Sequence, residues 1–94
     1  MAISTVFVPK DTWVDLTGVD IPGEFGFQNL GASKVWFAAG GAAAPTGFDN
    51  AFRLGSKQSI ITASFANNFP GVASPTRLWA LCESDAAEIS VRVA

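Results

Sequence analysis

Ile89, Val91 and Val93 alternate with Glu88, Ser90 and Arg92, the mark of a strand with one buried face and one wet face. The same period of two recurs in short runs cut by Gly, Pro and Asn. Ile3 to Val8 is β-branched and aromatic, and Pro9 ends it. Thr12 to Leu16 is a second run, stopped by Thr17-Gly18 and Pro22-Gly23. Glu24 to Leu30 sets Phe25 and Phe27 against Glu24, Gly26 and Gln28. Gly31-Ala32-Ser33 then leads into Lys34 to Ala39, and so short a connection predicts an antiparallel hairpin. Ala51 to Leu54, Gln58 to Phe65, Arg77 to Glu83 and Glu88 to Val93 complete the strands. Residues 40–47 and 66–75 lack periodicity and predict long loops. No window predicts a helix: Ala42-Ala43-Ala44 follows two glycines and precedes Pro45.

About eight short strands with turn signals between them predict an all-β fold. The expected form is a small antiparallel β-sandwich, jelly-roll-like or Ig-like, with residues 1–94 as a single domain. Residues 1–8 are either an N-terminal arm free for strand addition or an edge strand paired within the sandwich.

Two of the runs are apolar on both faces. Val35 and Phe37 oppose Trp36, while Leu78, Ala80 and Cys82 oppose Trp79 and Leu81. A sandwich needs only one apolar face per sheet, so Trp36, Trp79 and Leu81 need a cover. Either the long loops supply it or another chain does. Phe48 and Phe69, beside Asp49-Asn50 and Asn67-Asn68, are either interface anchors or plugs for the sandwich ends. The candidate interface is therefore Val6, Phe7, Trp36, Phe48, Phe69, Trp79 and Leu81.

Composition then narrows the chemistry. The 94 residues are 49% hydrophobic, yet they include no His, no Tyr and one Cys. General acid–base catalysis near neutral pH draws most often on His, and metal sites draw on His, Cys and clustered carboxylates. Asp11, Asp15 and Asp20 are the one local acidic group, and their spacing lacks the dense oxygen ligands of a calcium loop. No enzyme, metal or cofactor is expected. Cys82 cannot form an internal disulfide and reads as a small buried hydrophobe. The six basic residues are scattered singly in a chain of net charge −2, which gives no footprint for nucleic acid. No apolar run nears the ~20 residues of a membrane helix, and the first residues lack a leader pattern. The expectation is a soluble protein made in a cytoplasm, with no membrane partner.

Phe27-Gln28-Asn29-Leu30-Gly31 followed by Lys34-Val35-Trp36-Phe37-Ala38 resembles a pattern in small virion proteins of tailed bacteriophages. Phe52-Arg53-Leu54-Gly55-Ser56, Arg77-Leu78-Trp79-Ala80-Leu81 and the closing Ile89-Ser90-Val91 extend the resemblance over most of residues 12–94. It implies a structural virion protein, foremost a capsid decoration (cement) protein bound to the major capsid protein on the capsid surface. A head–tail connector, neck or tail accessory protein is the alternative. Many copies on a symmetric lattice turn modest single contacts into large collective stabilisation. Self-association is expected too: a trimer would suit local three-fold sites, and a ring would suit the neck or tail. A carbohydrate-binding module is the other class, with Trp13, Trp36 and Trp79 as stacking platforms and Asp49, Asn50, Asn67 and Asn68 as polar contacts.

Overall fold

Eight strands form among the described residues, and they pair from the outside of the chain inward. The computed structural model describes all residues except 1, 22–23, 49–50, 70, 73–74, 84–85 and 94, and leaves aside the side chains at 2, 3, 61, 62, 66 and 67. The strands are β1 (Ala2–Val8), β2 (Val14–Asp15), β3 (Phe25–Asn29), β4 (Val35–Gly40), β5 (Phe52–Leu54), β6 (Ser59–Ala63), β7 (Arg77–Cys82) and β8 (Ala87–Val93). One helical turn, α1 (Phe65–Asn68), follows β6 where the sequence predicts loop. The Asn68 side chain accepts the Ser64 backbone N–H at 3.1 Å, and the Asn68 and Phe69 N–H groups close the turn onto the Ser64 and Phe65 carbonyls.

Sheet A has the order β1-β8-β3-β6 and sheet B the order β2-β7-β4-β5. The antiparallel pairs β1·β8, β2·β7, β3·β6 and β4·β5 are nested within one another. That is a long antiparallel ribbon, bent at the β4–β5 connection and rolled into two facing sheets. Of the two expected sandwiches, the chain forms the jelly roll.

The expected β3–β4 hairpin does not form. β3 pairs with β6 and β8 in sheet A, while β4 pairs with β5 and β7 in sheet B. The connection, residues 30–34, spans the sheets because both strands carry Phe on the face that needs burial. Pairing side by side would point those faces the same way; crossing the core lets Phe27 and Phe37 pack against each other, ring centroids 4.6 Å apart. Asn29 holds the corner. It is fully buried, donates its Nδ2 to the Ser33, Leu54 and Gly55 carbonyls at 2.7–3.2 Å, and accepts the Gly31 N–H at 2.9 Å. Gly31 is required there, since a Cβ would come within 2.7 Å of the Ala87 Cβ.

The core lies between the sheets: Val8, Phe25, Phe27, Val35, Phe37, Leu78, Ala80, Cys82, Ile89 and Val91 are all buried. Val8 comes from β1, which pairs with β8 at every position from Ala2↔Val93 to Val8↔Ala87. The first residues are thus an edge strand of sheet A rather than a detached arm.

Candidate functional site

The outer face of sheet B is a second apolar layer. Asp15, Trp79 and Ala38 lie in register across β2, β7 and β4, and Leu81, Trp36 and Arg53 across β7, β4 and β5. Side chains alternate between faces, so these residues point away from the Phe-rich core. The β4–β5 connection folds back over them. Phe48 in that connection meets Trp36 with ring centroids 4.7 Å apart, and Trp13, just before β2, meets Phe48 at 5.6 Å.

A polar pair borders this aromatic cap. The Arg53 guanidinium lies 5.1 Å from the Trp36 ring centroid, a cation–π contact. The Trp36 indole N–H donates to the Glu83 carboxylate, which stands 4.0 Å from Arg53. Arg53 and Glu83 are about half exposed, as is Phe48, while Trp13 and Trp36 are partly covered.

The predicted interface residues fall into three groups. Phe48 and Trp36 come together in the cap. Phe7 is 63% exposed, but on the outer face of sheet A. Of the other four, Trp79, Leu81 and Phe69 are buried and Val6 is partly buried. Trp79 and Leu81 do face outward from sheet B, yet each is only 7% exposed. The chain's own loop covers Trp79: its indole N–H donates to the Gly41 carbonyl at 2.9 Å. Phe69 is 1% exposed and packs on Phe52 at 5.1 Å, so it plugs the core. Val6 points inward, in register with buried Ile89, and packs against the core.

Trp13, Arg53 and Glu83 complete the cap and were absent from the predicted interface. The odd–even position of Arg53 between Phe52 and Leu54 signals its outward face; nothing local signals that it stands beside Trp36. For sugar binding, the Trp79 platform is buried and Trp13 and Trp36 are engaged by Phe48. Asp49 and Asn50 lie outside the described residues, as does the side chain of Asn67, and Asn68 closes α1.

The acidic group has structural work. Arg77 donates its Nη1 to Asp15 Oδ2 and its Nε to Asp20 Oδ1, both at 2.9 Å. Asp15 Oδ1 also accepts the Thr17 and Gly18 N–H groups, fitting the positive φ of Gly18. The Arg77 hydrogen bond holds the Asp20 carboxyl below its ordinary range. Among the described residues, no group of three His, Cys, Asp or Glu side chains is placed to hold a metal ion. Nor, among the described residues, is any helix long and apolar enough to cross a membrane.

On sheet A, Gly26, Phe27, Gln28, Ser59, Ile60, Ser90 and Arg92 line a shallow groove of about 320 Å³. Comparisons of the chain with family models, curated proteins and solved structures returned no match.

Proposed function

We propose that this chain is a non-enzymatic structural module that docks onto a larger protein assembly through the aromatic cap of sheet B. Its foremost form is a capsid decoration protein that binds the major capsid protein of a phage shell and bridges neighbouring subunits. The observation that carries the docking reading is the Trp13–Phe48–Trp36 cluster with Arg53 and Glu83 at its border. Partly exposed Trp and Arg around an exposed Phe have the composition of interface hot spots. The virion assignment rests on the sequence resemblance. The rolled topology favours neither a viral nor a sugar-binding role, because both classes of domain use jelly rolls.

Mass spectrometry of purified virions, counting this chain against the major shell protein, is the test. Hundreds of copies per particle support decoration. About six or twelve copies would move the protein to the neck or tail. Absence from the particle overturns the virion reading. Phe48→Glu should release the protein from the particle with its fold intact, since Phe48 lies outside the core. Full retention of that variant overturns docking through the cap.

A further inference from the structure

We propose that two copies of this chain join edge to edge through β1, about a twofold axis at Thr5, so that sheet A runs continuously through the pair. The contact is independent of the aromatic cap, which belongs to the other sheet.

The four sheet edges are β1, β6, β2 and β5. Natural sheets guard their edges by shortness, charge, proline or bulges. β2 has two residues; β5 has three, with exposed Arg53 at its centre. β6 breaks register with β3 opposite Phe25–Phe27. β1 has none of these devices. It runs seven residues as Ala-Ile-Ser-Thr-Val-Phe-Val, without charge or proline, and pairs with β8 without a register break. On this strand Phe7 stands 63% exposed.

A second copy of this chain fits that edge better than an unrelated strand, because the charges beside β1 complement themselves. Glu88 lies in register with Phe7, and Arg92 with residue 3. Antiparallel pairing about Thr5 sets residue 3 opposite Phe7 of the second copy and Ser4 opposite Val6, while Val8, buried at the end of the strand, stays outside the pairing. The row through Phe7 then runs from Glu88 of one copy to Arg92 of the other, and its symmetry mate does the reverse. Opposite charges flank the seam, although each chain carries net charge −2. A parallel pairing would align Glu88 with Glu88. The twofold arrangement also closes on itself, using up both free β1 edges. The new strand packs beside Phe7 and pairs the exposed backbone of β1 around Thr5.

The test is sedimentation equilibrium of the full chain across a concentration series, with charge-swapped variants. Thr5 is exposed and sits at the proposed axis, so Thr5→Lys and Thr5→Glu each place two like charges face to face without touching the core. The wild-type chain should move from 9.8 kDa toward twice that mass as concentration rises. Each variant alone should stay at the monomer mass, and an equimolar mixture of the two should recover the dimer. That recovery also shows that both variants are folded. Phe48→Glu should dimerise like wild type, which separates this contact from docking through the cap. A wild-type chain that stays monomeric to its solubility limit overturns the proposal, as does a Thr5→Lys variant that dimerises like wild type.

Discussion

The rings of Phe27 and Phe37 lie 4.6 Å apart and tilted by 41°, although the chain between them makes one short connection and changes sheet. This contact replaces the hairpin that the same residues suggest locally. Each Phe is at most 3% exposed, and each also reaches Phe52 with centroids 6.3 Å apart. Phe37→Ala removes a buried ring from the middle of this stack. The expected loss is roughly 3–5 kcal/mol, read from denaturant unfolding with an unchanged m-value.

Asn29 gives a second prediction, of polar origin. Its amide ties the β3–β4 corner to the carbonyls of Leu54 and Gly55. Asn29→Ala strips partners from three carbonyls and from the Gly31 N–H, and should cost at least about 2 kcal/mol in the same assay. Asn29→Asp should be less stable at pH 7 than at pH 5, because its carboxylate would face those carbonyls while its protonated form can donate to one of them. Gly31→Ala should destabilise by about 1–3 kcal/mol through the clash with Ala87.

The Arg77 clamp predicts a dependence on acid. Asp20 is held below its ordinary pKa, first by its hydrogen bond to Arg77. Its carboxyl is therefore protonated more readily in the unfolded chain, and stability falls as pH falls. The contribution is complete above an unfolded carboxylate pKa of about 3.9 and is lost as pH drops through the lower folded value. Asp20→Asn should lower Tm at pH 6, and its gap from wild type should close towards pH 2. Because Asp20 is largely exposed, added salt should narrow the gap at pH 6.

Trp79 and Phe48 should separate folding from docking. Trp79→Ala empties a site that is only 7% exposed and frees the Gly41 carbonyl, for an expected loss of roughly 3–5 kcal/mol. Phe48→Ala trims a ring that is 45% exposed. Its unfolding midpoint should change by less than half as much as that of Trp79→Ala. A Phe48 variant as unstable as the Trp79 variant would make the cap part of the fold rather than a surface.

Cys82 supplies a prediction at high pH. It is fully buried, with its Sγ 3.5 Å from the Val8 carbonyl, and burial pushes its pKa up. The thiol should resist a thiol-specific reagent in the native chain and react once denaturant unfolds it. The thiolate is the more accessible form in the unfolded chain, so this group's contribution to stability is complete below about pH 8.5 and is lost as pH rises through the folded value. Cys82→Ala should show a weaker alkaline loss of stability than wild type.

Strand positions were legible because alternation is local. Ile89-Ser90-Val91-Arg92-Val93 states its two faces whatever strand lies beside it, and each of the eight predicted runs overlaps an observed strand. The predicted boundaries differ most around β2 and β6, where β2 shortens to Val14–Asp15 and α1 takes Phe65. The aromatic residues of the cap were partly legible, since Trp36 opposes Val35 and Phe37 in any strand reading. Its Arg53 and Glu83 border was not, because their neighbours come from other strands.

Tertiary structure alone decided which faces found cover. Trp79 and Leu81 have the same outward pattern as Trp36, but a chain fold-back places the Gly40–Gly41 backbone against Trp79 and leaves Phe48 against Trp36. Phe69 sits in a polar-looking segment, yet it faces Phe52 from across the core. Sheet membership belongs to the same class. Side-chain alternation specifies that a strand has an apolar face, which is a property of neighbouring residues. Which strand meets that face depends on contacts between distant residues, and here the rolled ribbon chose burial of Phe27 on Phe37 over the nearest hairpin.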